Sequence, residues 1–217
     1  MKSQVRGGTR WKRFAVVMVP SIAATAAVGV GLAQGALAAS FSVSGQDFKV
    51  RADSLVGENL IQYGGVAHGN NLETGKKEDH PVTISGFSKA TITNMCQSLV
   101  TPVPGIGPIT LQLRTGTDPK NPAVATNIYL DVAELDADAY FEKLDIGVAA
   151  GDKSHVTPAQ PGTLASPFAF SQRAEKATLT KVRQKAWATT AGTFTLPDLK
   201  LRLVPGDKPC YEDSEVK

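Results

Sequence analysis

From residue 41 onward, apolar residues recur at every second position, a period that half-buried strands require and helices do not. Phe41 and Val43, Phe48, Val50 and Ala52, Val82 and Ile84, and Ile109, Leu111 and Leu113 follow it, as do Ile128, Leu130 and Val132, Leu144, Ile146 and Val148, and Leu199, Leu201 and Leu203. Turn-forming residues stand between these runs: Gly64-Gly65, Gly69-Asn70-Asn71, Pro102 to Pro108, Asp118 to Pro122, Gly151-Asp152 and Pro158 to Gly162. Several short strands with regular turn signals predict an all-β domain, built as a two-layer β-sandwich or jelly-roll-like arrangement. A β-solenoid or a folded-over single sheet is the alternative architecture.

The chain also repeats itself. KATITNM, residues 89 to 95, returns as KATLTKV, residues 176 to 182, and more loosely as DAYFEKL, residues 138 to 144. Each copy has Ala, then an apolar residue two positions on, then another three beyond that: Ala90-Ile92-Met95, Ala139-Phe141-Leu144 and Ala177-Leu179-Val182. Two copies lie in stretches with some helical spacing, Val132 to Leu144 and Arg173 to Ala188. Thr91, Thr93, Thr178 and Thr180 favour strands instead. The step from two to three suggests a bulge late in each copy that returns the last apolar side chain to the core face. A weaker copy, Val50-Ala52-Leu55, precedes them. Its irregular spacing from the rest suits equivalent strands of one structure better than the near-fixed period of a solenoid.

The first 38 residues follow another logic. Lys2, Arg6, Arg10, Lys12 and Arg13 precede an apolar run beginning at Phe14, which closes in Ala36-Leu37-Ala38 before Ala39. A basic start, an apolar middle and a small-residue site make an export signal. Residues 1–38 are therefore predicted to be a signal peptide. Residues 39–217 form a single all-β domain, secreted or held in the cell envelope outside the cytoplasmic membrane. The run from Phe14 to Ala33 is also long enough to cross a bilayer, so a retained anchor is the alternative. Five of the 23 basic residues and none of the 20 acidic ones lie before Ala39, which leaves 18 basic against 20 acidic residues. That balance offers no positive field to nucleic acid, so no nucleic-acid partner is expected.

Cys96 and Cys210 both follow the leader, and two cysteines in an oxidising compartment allow one intrachain bridge. Such a bridge pins the tail at Pro209-Cys210-Tyr211 to the strand holding Cys96. Gly86-Phe87-Ser88-Lys89-Ala90 is one residue from the nucleophile elbow of hydrolases, with Ala in place of the last Gly. A strand follows it where the elbow has a helix, so Ser88 reads as a turn residue, with a catalytic serine as the alternative. His68, His80 and His155 sit in loop-like sequence without metal-ligand spacing, and no calcium loop is present, so neither a metal nor another cofactor is expected. Asp131, Glu134, Asp136, Asp138, Glu142 and Asp145 read as the solvent face of a strand. Lys176, Lys181, Arg183 and Lys185 near the third copy are of the right sign to pair with it. Trp187 reads as a core residue.

Phe41-Ser42-Val43-Ser44-Gly45, the central LQLRTGTDPKNPAVATNIYLDVAELDADAYFEKLDIG and the closing TTAGTFTLPDLKLRL resemble a family of exported actinobacterial proteins of unknown function. Its members often carry the label "cholesterol esterase", and some are encoded beside a small multi-pass membrane protein. The resemblance implies an ester hydrolase as one function, and that membrane protein or another envelope component as a partner. The residues themselves favour a structural or binding role at the cell surface without an evident catalytic site. A lipid-binding or lipid-shuttling module, with lipid as ligand, fits the same features if the domain encloses an apolar cavity.

The leader yields a test. Mass spectrometry of protein recovered from its native envelope is expected to give Ala39 as the first residue, because Ala36 and Ala38 occupy the positions read by signal peptidase. An intact N-terminus would instead mark the retained anchor.

Overall fold

The computed structural model describes residues 44–71, 74–162 and 166–216. The predicted leader 1–38, its cleavage site, Phe41 and Val43 lie outside the described residues. The strands are β1 (Phe48–Asn70), β2 (Lys77–Thr93), β3 (Met95–Val103), β4 (Gly107–Thr115), β5 (Ala123–Ala149), β6 (Phe170–Thr190), β7 (Thr193–Thr195) and β8 (Lys200–Pro205), with a 3-10 turn at Asp213–Glu215. The domain is all-β, as the alternation predicts. Both stretches with helical spacing run within strands, in β5 and β6.

The four long strands pair antiparallel in a closed ring, β1 with β2, β2 with β5, β5 with β6, and β6 with β1. The two layers expected of a sandwich are therefore two sides of one sheet that folds over and closes on itself. Closure removes the free edges where the four strands, 17 to 27 residues long, overlap, and β5 runs on past Val132 paired with β6 alone. From the start of β1 the sheet extends into a wing. Lys49–Arg51 pair with β3, β3 pairs with β4, and β4 pairs with β8 at the open edge. β7 pairs with residues 124–126 of β5.

The repeat is explained by this ring. Thr91 of the first copy and Thr178 of the third both stand opposite Val56 of β1, one on each side, and Thr178 in turn stands opposite Tyr140 of the second copy. On its other side Thr91 faces Val124. The circuit reveals two members that the sequence pattern misplaces or misses. The β1 member is Leu55-Gly57-Leu60 rather than Val50-Ala52-Leu55, and a fifth member is Ala123-Ala125-Ile128. In every pairing the first member of one triad faces the second member of its neighbour. The copies are equivalent because each must satisfy the same two neighbours.

The expected return to the core face has a specific mechanism. The residue just before the last member of every triad, Asn59, Asn94, Asn127, Lys143 or Lys181, has a positive φ between 47° and 55°. One left-handed residue turns the next side chain back to the interior; on the β5 side of Lys181 it does so with the expected bulge, Lys181 and Val182 standing against Ala137 alone, and in the other pairings it adds no residue to the register. The pairing skips it together with the residue opposite: Lys181 with Asp53, Lys143 with Glu175, and Asn127 with Ser88. Left-handed backbone is costly for any residue but Gly and is best tolerated by Asn, which fills three of the five positions. The skipped partners answer with polar contacts. Asn59 Nδ2 donates to Ser88 Oγ at 2.8 Å, Asn94 Nδ2 to Asp53 Oδ2 at 2.9 Å, and Lys143 Nζ pairs with Glu175 at 2.7 Å.

Inside the ring lie Leu55, Leu60, Phe87, Ile92, Met95, Ile128, Leu130, Leu179 and Val182, close-packed with Ala90, Ala125 and Ala177. Small residues are required where opposite sides meet. A Cβ added to Gly57 would fall within the Phe87 ring. Gly64-Gly65, read from sequence as a turn, lies inside β1 instead, and a side chain at Gly65 would collide with Ile84. The second copy is the exception in burial. Phe141 is only partly buried against the core, and Tyr140 is exposed, because β5 overruns the ring there.

This geometry fixes a contrast in stability. Ile92→Ala and Leu179→Ala should each cost about 2 to 5 kcal/mol, whereas Thr91→Ala and Thr178→Ala, on the opposite face, should cost under about 1 kcal/mol. Chemical denaturation with the disulfide intact measures all four.

Candidate functional site

Cys96 and Cys210 are bridged, with Cα atoms 5.9 Å apart. The bridge lays the tail along one face of the wing, where polar strand residues receive it. Thr110 Oγ1 donates to Gly206 O at 2.7 Å and accepts from Lys208 N at 2.9 Å, and Cys210 N donates to Ser98 Oγ at 2.9 Å. Tyr211 is buried next to Lys49, whose ammonium also meets Asp213 at 2.7 Å. Burial, and then the negative charges of Glu134, Asp213 and Asp47, push the Tyr211 phenol up to about 12. One side of the wing is thus fully dressed.

The other side is not. Leu113 and Leu201, Leu111 and Leu203, and Ile109 and Pro205 are cross-strand pairs on that face of β4 and β8, and Leu99 of β3 stands opposite Leu111. Leu113 packs against the ring core, so the face continues the interior into the open. Toward the edge its cover ends. Leu199, Leu201 and Leu203 are 49, 61 and 72 % exposed, and Ile106 at the tip of the β3–β4 hairpin is 75 % exposed. The charged side chains of these three strands are Arg114, Lys200 and Arg202, all cationic. An edge strand alternating leucine with cation is a surface that water alone serves poorly.

A second feature lies outside the ring at the far end. Between β5 and β6, residues 150–162 and 166–169 strap across Ile61, Tyr63, Ile84 and Tyr129. Three groups of the sheet fasten the strap. Tyr63 hydroxyl accepts from Gln160 N at 2.8 Å, Tyr129 hydroxyl donates to Pro158 O at 3.1 Å, and the Arg173 guanidinium donates to Thr157 O and Ala150 O, each at 2.9 Å. Beside the strap opens a groove of about 760 Å³ bordered by β1, β5 and β6.

The hydroxyl singled out by sequence has a different task from that of an elbow. Ser88 lies inside β2 rather than at a turn, and its Oγ accepts from Asn59 and donates to Glu58 O at 3.1 Å. It staples the left-handed step of β1. The histidines divide. His68 sits in β1 against Asp79 at 2.6 Å, and His80 sits in β2 with its ring stacked on Trp187 at 3.6 Å. Both are strand residues where the sequence suggests loops. His155 is in the strap, with Ser154 Oγ 3.0 Å from Nδ1 and Asp145 3.7 Å from Nε2. The serine and histidine are chain neighbours at the surface, and the carboxylate stands beyond hydrogen-bond length, so the imidazole is not oriented as a general base requires.

The acidic run behaves as its alternation predicts over most of its length. Glu142 pairs with Lys176 at 3.3 Å and Asp138 with Lys181 at 2.9 Å, while Asp136 reaches Arg183 at 4.0 Å. These are rungs between β5 and β6. Asp131 departs from them. It lies opposite Ile84 and Ala188, is buried, and its Oδ1 has no hydrogen-bond partner among the described residues. Burial pushes its pKa up to about 6. Nothing in the local sequence separates Asp131 from its exposed neighbours. The register shifts between Asp131 and Glu134, where β5 changes its alignment on β6, carry that information.

The ring interior holds a cavity of about 130 Å³ among Leu55, Phe87, Leu130, Phe141 and Leu179, with Gln184 as a polar neighbour. Ligand pockets begin near about 300 Å³. Among the described residues no group of three or more His, Cys, Asp or Glu side chains is placed to hold a metal ion, and no helix is long and apolar enough to cross a membrane.

The chain belongs to a family of unknown function, DUF6230, whose profile matches residues 44–211. The match runs through the ring, the strap and the wing to the tyrosine after the second cysteine. No curated protein and no solved structure matches it.

Asp131 gives a pH signature. Its folded pKa of about 6 stands above the ordinary value of 3.8, so the fold binds its proton more tightly than the unfolded chain. Stability from this group is present below about pH 4 and is lost as pH rises through about 6. Asp131→Asn should therefore raise stability at pH 7 by about 1 to 2 kcal/mol and leave it unchanged at pH 4. Urea titrations of both proteins at the two pH values read the difference.

Proposed function

We propose that this member of the family is an exported, envelope-associated binding domain that adheres to an anionic lipid surface through its wing. The observation that carries the reading is the alternation of exposed leucines with cations along the edge strand, Leu199-Lys200-Leu201-Arg202-Leu203. An apolar face a few side chains deep, on strands whose charged residues Arg114, Lys200 and Arg202 alternate onto the reverse side, matches the chemistry of the interface between acyl chains and acidic headgroups, which long cationic side chains at a strand edge can reach. The uncharged hairpin tip from Val103 to Pro108 extends that face. A location outside the cytoplasmic membrane is supported by the basic leader, by the bridged cysteines, which persist in oxidising compartments, and by the resemblance to exported actinobacterial proteins. The proposed partnership with a small multi-pass membrane protein would bring both chains to the same bilayer.

Two other readings have less behind them. Carriage of a whole lipid inside the ring is opposed by the size of the cavity. Ester hydrolysis, implied by the resemblance, needs a hydroxyl activated by an oriented imidazole. Ser88 is engaged by Asn59 and the Glu58 carbonyl instead.

Co-sedimentation of the purified protein with vesicles decides the matter. Vesicles containing phosphatidylglycerol are expected to retain the protein, and pure phosphatidylcholine vesicles to retain it weakly. Leu201→Ser combined with Leu203→Ser should lower partitioning at least about tenfold, since each leucine withdrawn from the interface forfeits more than about 1 kcal/mol. Both leucines are exposed, so the thermal midpoint should not move. Binding that ignores the leucine changes, or no binding to acidic vesicles, overturns the proposal, as does concentration-dependent self-association that the same pair abolishes.

A further inference from the structure

The strap groove raises a separate question, independent of the wing. Arg173 is 1 % exposed, among the largest fully buried side chains of the domain. Its two terminal nitrogens are satisfied by main-chain oxygens, Thr157 O and Ala150 O at 2.9 Å and Asp152 O at 3.3 Å. Carbonyl dipoles supply hydrogen bonds but no counter-charge. No carboxylate among the described residues forms an ion pair with it. The nearest negative charge it feels is the Asp152 carboxylate, which accepts from Ser154 N at 2.8 Å. A buried guanidinium without an anion is expensive, and proteins ordinarily pair it.

Two donors at the same place are left over. Arg173 Nε and Thr157 Oγ1 are buried and have no partner among the described residues, and both residues line the groove. Buried polar groups are nearly always satisfied, so an orphaned N–H and hydroxyl beside one open cleft ask for an acceptor. Two of the four acids on the rim are ion-paired with lysines. Glu142 is held by Lys176, Glu175 by Lys143, and Asp145 stands next to His155. Glu58 faces Lys89 and Lys176 across the strands. With about 760 Å³ available and Leu60, Val156 and Ala174 among the walls, the groove has room for more than a bare ion.

We infer that the strap groove binds a molecule bearing a small oxyanion, a carboxylate or a phosphate monoester, whose oxygen accepts from Arg173 Nε–H and the Thr157 hydroxyl. The anion completes the charge balance that the carbonyl oxygens leave open. The strap holds the site together, since the same guanidinium fastens residues 150–157 to β6.

The buried Nε–H of Arg173 is its own reporter, because exchange with water is slowed enough for a resolved nitrogen-15 correlation. The full protein is titrated separately with acetate, inorganic phosphate and, at matched ionic strength, chloride. A saturable shift of the Arg173 Nε–H signal is expected with acetate, with phosphate or with both; which probe acts distinguishes a carboxylate ligand from a phosphate one. Thr157→Val removes one donor, leaves the main-chain oxygen that Arg173 uses, and should weaken the apparent affinity roughly tenfold. An unmoved signal with both probes overturns the inference. So does a shift that chloride reproduces, or one that Thr157→Val leaves unchanged.

Discussion

Closure of the four long strands in a single common register is the constraint on which everything else rests. Val124, Thr91, Val56, Thr178 and Tyr140 stand side by side around the ring, and the circuit that leaves β5 at residue 124 returns to it at residue 140. A ring this narrow cannot hold large side chains at every inward position. Alanine and glycine therefore occupy the sites of closest approach, with Phe87 lying over Gly57. Where the ring closes, each long strand has a neighbour on both sides, while β5 from Glu134 onward pairs with β6 alone.

How much of this was legible in the sequence depends on which physical rule set each residue. The strands were readable because burial on one face imposes a period of two. The cysteine pairing was readable because two cysteines have one intrachain choice. The repeated heptapeptides announced equivalent strands, and the step from two to three announced a change of face. What stayed hidden was set by neighbours distant in sequence. Gly57 belongs to the repeat only because Phe87 occupies the space where its side chain would be, and Gly64-Gly65 resembles a turn until the Ile84 side chain is seen against it. Ser88 resembles a nucleophile until the left-handed Asn59 is placed opposite. Asp131 sits in a run of surface carboxylates and is separated from them by a shift in strand alignment that has no local signal. The burial of Arg173 was hidden for the same reason, because in the sequence it looks like one more cation in a basic segment.

The wing and the strap show two solutions to a sheet face that lies outside the ring. Over the strap face, Tyr63, Tyr129 and Arg173 draw a loop down and make it part of the core. Over one wing face, Thr110, Ser98 and the disulfide do the same with the C-terminal tail. The leucine face of the wing has no such cover among the described residues. Through Leu113 that face is continuous with the core of the ring.

The uniform pairing rule has a further consequence, for how the chain reaches this structure. Five segments that obey one rule can pair with one another in several wrong combinations at nearly the same local energy, so the search for the native ring is kinetically ambiguous. The residues opposite the left-handed positions break that degeneracy. Asn94 meets an aspartate, Lys143 a glutamate and Asn59 a serine. A strand docked beside the wrong neighbour would bring the wrong pair together and leave a donor or a charge unanswered. The irregular positions thus act as address labels for strand assembly, and selection has reason to hold them even though most lie at the surface and contribute little to the core.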